Sequence, residues 1–291
     1  MKRSILFLLS ILFLFSCTEP FEIKTNDSES VIVIYGVITD EYKHQSVRVT
    51  HSSPYFNPLS DPSVSDAIVT ISFEDQIIEL FEDPDSAGIY TSNHKWKALP
   101  DTHYILNVDV DFDKDGVIDN YQASTIFKQE VYLDSIHIRP ITIMGHLNYA
   151  LNVYGQDSPD EDYYLFHVSV NDSIVVNEKL TKSILSDDKI LSGQYINGLT
   201  ISYMDDISEW ETDSEETREN STYLKKGDRI KTGISSIPKG YFDFLNQCIS
   251  EKNGENPLFG GPASNITTNI SNGGVGYFAG YCITYTSTVV Q

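Results

Sequence analysis

Asp111, Asp113, Asp115 and Asp119 stand at alternating positions in the stretch DFDKDGVID, with Gly116 placed for a sharp turn. Side-chain oxygens at this spacing, plus the backbone carbonyl of Val117, are what a hard cation with six to eight oxygen ligands needs. The stretch matches the first nine positions of an EF-hand-type loop, which makes calcium the candidate cofactor. The twelfth position is Gln122 rather than a bidentate Glu, and the flanks read as strands rather than helices. The competing reading is an acidic hairpin in which Asp115-Gly116 makes the turn. A bound ion would stiffen that hairpin; nothing in the pattern points to catalysis.

Other chemistry is sparse. The chain carries no HExxH, CxxC, GxSxG or GxxxxGK[ST] pattern, and none of its seven histidines lies within four residues of another. With 42 acidic residues any carboxylate pair can be proposed after the fact, so glycoside hydrolysis gains no specific support. His137, His146 and His167 fall in or beside strand-like runs and read as ordinary sheet residues. Residues 205–219 (DDISEWETDSEETRE) hold eight acids against one Arg and read as a solvated loop, here bounded at 205–221. The sharper alternative makes this loop a binding lip in which Trp210 stacks on a glycan or peptide. Cys248 and Cys282 allow one disulfide, which spacing alone leaves open.

The N-terminus sets the address. Met1-Lys2-Arg3 precedes an apolar run over 5–15, which ends at Ser16-Cys17. That run is shorter than the roughly 20 apolar residues of a bilayer-spanning helix. A basic start, an apolar middle and a small residue before a lone cysteine resemble the lipobox of bacterial lipoproteins. The resemblance implies a signal peptide over 1–16, a mature start at Cys17, and acyl chains on Cys17 that give stable anchoring. Removing 1–16 takes away Lys2 and Arg3 and no acid, so the formal charge moves from −22 to −24. Such a charge disfavours nucleic acid and anionic lipid as partners, leaving the acyl chains as the link to a membrane. Residues 17–30 are acidic and aperiodic, as suits a tether. Glu19 and Glu22 resemble an outer-surface export signal.

Strand patterns then dominate. VIVIYGVIT (31–39), SVRVTHS (46–52), AIVTISF (67–73), QIIELF (76–81), GIYTS (88–92), HYILNVDVD (103–111) and YQASTIF (121–127) alternate or run apolar between turn residues. They predict a mainly β fold: an N-terminal Ig-like or transthyretin-like β-sandwich over 31–130, then a second β-rich domain over 131–291. The second opens with VYLDSIHI (131–138), LNYALNVYG (147–155), YYLFHVSV (163–170) and SIVVNE (173–178). One short C-terminal helix is predicted near 238–252, with Tyr241, Leu245, Cys248 and Ile249 on its buried stripe. A final strand is predicted over 275–286.

In order along the chain, the lipobox at Cys17, VIVIYGVIT, SDAIVTI, YQASTIFKQEVYLDSIHI, DEDYYLFHV, KKGDRIKTGISSIPKGYFDFLNQC and NPLFGGPASNITTNISNGGVGYFAGYC resemble the Bacteroidetes lipoprotein family of the domain of unknown function 4249. The resemblance implies an outer-membrane, cell-surface lipoprotein that accompanies a TonB-dependent transporter as an accessory or substrate-capturing partner. It implies no catalytic residue. The rival expectations are a surface-anchored hydrolase acting on glycan or peptide, and a calcium-stiffened structural or adhesive protein. An aromatic-lined groove would favour capture; convergent carboxylates or histidines in a cleft would favour an enzyme.

Overall fold

The computed structural model describes residues 30–52, 62–175, 183–187, 193–211, 213–215, 218, 221–254 and 266–291. Cys17, the leader and the tether up to residue 29 lie outside them, as do 255–265 and parts of the 205–221 loop.

Alternating apolar residues bury every second side chain of the first strand, β1 (Ile32–Thr39), and the same period recurs in β2 (Ser46–His51), β3 (Ile68–Phe73), β4 (Gln76–Asp83), β5 (Ser86–Ser92), β6 (Tyr104–Val110) and β7 (Asp119–Thr125). The chain continues through β8 (Ser135–Ile143), β9 (His146–Gln156), β10 (Tyr163–Val170), β11 (Ser173–Ile174), β12 (Ile184–Asp187), β13 (Tyr195–Asp206), β14 (Tyr223–Leu224) and β15 (Arg229–Ser236). The helix α1 (Lys239–Gly254), the single long one among the described residues, follows, then β16 (Val275–Tyr281) and β17 (Thr284–Val289). The fold is mainly β with one C-terminal helix, as the pattern predicts. Among the described residues no helix is long and apolar enough to cross a membrane.

The first sheet has eight strands in the order β16-β1-β2-β5-β4-β3-β6-β7. It curls around one core that includes Ile34, Val49, Ile71, Leu106 and Phe278. Tyr104, fully buried, meets Phe73, Trp96 and Phe127 at ring separations of 5.0, 6.2 and 6.0 Å. Curling brings the edge strands β7 and β16 together, and side chains close the seam. Asn269 Nδ2 donates to the carbonyls of Ser124 (3.1 Å) and Phe278 (2.8 Å), and its Oδ1 accepts from the Phe278 amide (2.9 Å). The Gly280 amide donates to Thr125 Oγ1 at 3.1 Å. Gly276 pairs with Ile34 at φ +109°, where an added Cβ would lie 2.0 Å from the Ile34 carbonyl oxygen; only glycine permits the parallel β1–β16 contact.

Two smaller sheets, β11-β10-β15-β17 with β12 also on β10, and β14-β13-β9-β8, pack face to face. Leu151, Val153, Phe166, Met204, Leu224 and Ile230 lie between them. The first half of β10 is buried on both faces. Tyr164, Phe166 and Val168 join this second core, while Tyr163 and Leu165 point the other way into a third cluster with Tyr241, Phe244 and Leu245 of α1 and Tyr277 and Tyr281 of β16. The layers therefore run from the curled sheet, through α1, to the β10 sheet and then the β9 sheet.

Two sequence expectations change. The predicted final strand is two strands in different sheets, parted at Cys282-Ile283, where the Ile283 amide donates to Asp40 Oδ1 at 2.9 Å. Cys282 belongs to the first core and Ile283 to the third cluster, and the chain changes hydrogen-bonding partner there, from β1 on one side of the break to β15 on the other. The 131–291 stretch also returns β16, Ile270 and Cys282 to the first sheet and its core. The glycine-rich C-terminal segment thus closes the N-terminal sheet, rather than the second β unit. Strands β12 to β15 carry no strand assignment in the sequence reading.

Candidate functional site

Along β10 the row facing the third cluster reads Tyr163, Leu165, His167, Ser169, passing from sealed core to a polar opening. Where the apolar filling ends, a cavity of about 370 Å³ remains between the curled sheet and the β10 sheet. Tyr35 of β1 and Tyr281 of β16 wall it, Tyr241 of α1 closes one end, and His167, Ser169, Lys231 and Tyr285 line the opposite side. Junctions between structural units are common places for small-molecule sites.

Register explains the floor. Gly233 of β15 lies opposite both His167 of β10 and Tyr285 of β17. Because Gly233 lacks a side chain, the Tyr285 ring leans across it; an added Cβ would sit 2.8 Å from Tyr285 Cε1 and 3.0 Å from Ile283 Cγ2. Lys231, two residues earlier on the same face, places Nζ 3.7 Å from the Tyr285 ring centroid, a cation–π contact. The Tyr285 hydroxyl donates to Glu41 Oε1 at 3.0 Å, and Glu41 pairs with Lys43 at 2.9 Å. At the rim, Asp172 pairs with Arg229 at 2.6 Å.

Burial sets the protonation states. It pushes the His167 pKa down to about 4, against the pull of Glu41 and together with Lys43, so the imidazole is neutral at physiological pH. Its Nε2 lies 3.2 Å from Ser235 Oγ, and its ring tilts on Tyr281 at 5.7 Å. Burial pushes Tyr35 up to about 12 and holds Tyr241 and Tyr281 well above the usual phenol value; the Tyr35 and Tyr241 hydroxyls meet at 2.7 Å. Burial, reinforced by Glu41, also raises Tyr285. The cavity thus presents neutral hydroxyls, a neutral imidazole and one ammonium among ring faces. That suits binding a ligand with an apolar face and polar edges. A Ser–His couple alone does not make a nucleophile here, because Ser235 is fully buried and beyond a substrate's approach.

A second cavity, of about 450 Å³ between Ile126, Lys128, Asp162 and Pro238, offers less. Its charges answer each other: Lys128 Nζ reaches the buried Asp162 at 2.7 Å, and Ser236 Oγ donates to the same carboxylate.

The aspartate loop connects β6 to β7. Gly116 adopts φ +88° and its amide donates to Asp111 Oδ2 at 3.0 Å, while Asp113 Oδ1 and Asp115 Oδ1 accept from the Asp115 and Val117 amides. Ligand atoms of Asp111, Asp113 and Asp115 lie within 4.8 Å of one another. The buried Asp111 Oδ1 has no hydrogen-bond partner, the condition a cation would relieve. Asp119 is not in this group: its Oδ2 accepts from the Phe112 amide at 3.3 Å. Gln122 Nε2 donates to Asn107, across the β6–β7 ladder. Three of the four expected aspartates, Asp111, Asp113 and Asp115, are therefore the ones the loop brings together.

Trp210 lies away from the tyrosine-walled cavity. Its half-exposed ring meets Tyr223 of β14 edge-on at 4.9 Å and the Arg218 guanidinium of its own loop at 5.1 Å. Cys248 and Cys282 are free thiols, half-buried against the third cluster and buried in the first core respectively. Burial raises both, Cys282 to about 12 with the help of Asp40 and Glu130, so neither is a ready nucleophile. Cys17 lies outside the described residues. The sequence reading missed the role of His167 and Gly233. A usable signal was the β10 row, where His167 and Ser169 break an otherwise two-sided apolar strand.

No curated protein matches the chain. A family model described as a domain of unknown function (DUF4249) matches residues 18–287, nearly everything after Cys17. The chain belongs to that family, DUF4249.

Proposed function

We propose that this chain is a non-enzymatic capture protein, anchored through acylated Cys17 to the outer membrane and displayed at the cell surface. It holds a small ligand in the cleft between its two β units and passes it to a TonB-dependent transporter. The observation that carries this reading is the cleft itself: tyrosine rings from four elements, a cation–π-held Lys231 and neutral hydrogen-bonding groups at His167 and Ser169. Tyrosine faces with polar edges match a glycan or a peptide, which expose apolar patches beside hydrogen-bonding groups. Calcium, held by Asp111, Asp113 and Asp115, would stiffen the β6–β7 connection some way from that chemistry.

The test is recovery of the lipidated protein from native membranes in mild detergent, beside a Cys17→Ala control, with mass spectrometry of co-purifying proteins. One TonB-dependent transporter in near-equal amount supports the accessory role; its absence from both samples refutes it. Glycan and peptide arrays probed with wild type and Tyr285→Ala then test the cleft. Retention of a ligand class by wild type alone supports capture there, and equal retention by both proteins moves the site elsewhere.

A further inference from the structure

Residues 139–147, which form the far ends of β8 and β9 and their turn, are all exposed. The hairpin outruns the sandwich and ends in apolar side chains: Ile141 and Ile143, 40% and 36% exposed, Leu147 at 36%, and Met144 at 97%. Tyr203 of β13, paired with Ala150 of β9, and Ile207 of the turn that follows are also exposed. Met144 and Gly145 both have positive φ, +53° and +92°. This is the pattern of a tight primed turn, in which asparagine or aspartate before glycine is favoured. A methionine there sacrifices both backbone preference and solubility, so neither folding nor dissolution explains its presence.

The tip is also braced. Glu209 accepts from the Leu147 amide at 3.0 Å and pairs with His146 at 2.8 Å, and Tyr149 donates to Asp206 at 2.9 Å. Asp206 in turn caps the 3-10 turn Ile207–Glu209. Asp205 and Asp213 act on His146 through their charge, so four carboxylates lie behind the apolar point.

We propose that this hairpin is a docking plug that enters an apolar socket on a partner protein whose rim carries Lys and Arg. Charge selects this occupant. A membrane would bring four carboxylates against headgroups, at a desolvation cost that the small apolar tip does not offset. A second copy of the chain would oppose acid to acid, each copy carrying a formal −22. A basic-rimmed socket gains from both the apolar tip and its acidic collar. The proposal rests on the partner-docking half of the function above and is independent of the cleft.

Photo-methionine provides the test, because the chain's three methionines are Met1, Met144 and the buried Met204. The full chain is made with photo-methionine in its native cells, the membranes are irradiated, and peptides cross-linked to residue 144 are sequenced. The expected result is one dominant adduct to an apolar segment of another protein bordered by Lys or Arg. Recovery of that protein should weaken as salt rises from about 0.15 to 0.5 M. Met144→Asn, which suits the turn, should keep or raise the melting temperature while lowering recovery of that protein by co-purification in mild detergent without cross-linking roughly ten-fold, as for a central apolar anchor. Adducts to lipid, to a second copy, to an acidic surface, or none at all would overturn the plug. So would undiminished recovery of the same partner by Met144→Asn, which places docking elsewhere while leaving the accessory role intact. Loss of all partners from wild type refutes the accessory role itself.

Discussion

Replacing His167 by Gln should remove an acid-sensitive component of stability, and the cleft geometry sets its size and sign. In the unfolded chain this histidine titrates near 6.5, while burial in the folded protein lowers it to about 4. As pH falls below 6.5 the unfolded chain takes up a proton that the folded chain refuses, so the folded state loses stability. Above 6.5 neither state is protonated and the residue contributes no pH dependence; below about 4 both are, and the loss levels off. Between pH 7.5 and 5 the difference amounts to about 2 kcal/mol. For a chain of this size that is about 4–8 °C in melting temperature. Thermal unfolding of wild type and His167→Gln across this range gives the comparison, because carboxylates and the other histidines titrate alike in both proteins and cancel in the difference. Wild type should fall relative to the variant. Parallel curves, or a wild type that gains on the variant in acid, would show that the imidazole is solvated and that the cleft is not the dry, neutral site described. An NMR titration of the His167 ring in the folded protein should place its midpoint near pH 4, well below that of an exposed histidine.

Asn269→Ala removes three hydrogen bonds across the seam and leaves the Phe278 amide without its partner. The expected cost is about 2–4 kcal/mol, read by denaturant unfolding, with faster hydrogen exchange at Phe278. Gly233→Ala drives a methyl group into the Tyr285 ring, which should cost about 1–3 kcal/mol by overpacking and break the Lys231 and Glu41 contacts. Unchanged stability with an unmoved ring in a variant structure would refute that account of the cleft floor. Calcium at about one hundred times its dissociation constant should stabilise wild type by about 2.7 kcal/mol, and Asp111→Asn with Asp115→Asn should abolish the effect; an unshifted wild-type melt removes the ion from this loop.

The N-terminal strands were legible because each buries a single face, and alternation in β1 or β6 records that directly. The helix was legible from Pro238, whose carbonyl accepts from the Tyr241 and Phe242 amides at 2.9 and 3.0 Å, and from the spacing of Tyr241 and Leu245. Strands β13 and β15 escaped because β13 carries register shifts near Gly198 and Ile201, and β15 is interrupted by Gly233. Each departure weakens a two-residue period. In the aspartate loop spacing alone suggested four carboxylates, but Asp119 already begins β7 opposite Val110, and its Oδ2 is taken by the Phe112 amide rather than joining the other three.

The cleft was illegible for a different reason: its parts are distant in sequence and become neighbours only through strand exchange near the C-terminus. Tyr281 on the wall and Tyr285 on the floor are four residues apart, yet they belong to different sheets, because β16 ends and β17 begins around Cys282-Ile283. That crossing is pinned from both sides. The Ile283 amide is held by Asp40, and Tyr285 by Glu41, both in the segment that follows β1. Opening the cleft by moving the β10 sheet away from the curled sheet would therefore break the Asp40 and Glu41 contacts and strain the register of β1 with β16. A ligand would have to supply that cost, so the site is built to receive its ligand in the shape it already has, and its affinity depends on fit to the standing arrangement of Tyr35, Tyr281, His167 and Tyr285. Under the proposed capture role such a preformed cleft would bind without a closing step and release without an opening one, which would leave the timing of transfer to the proposed partner.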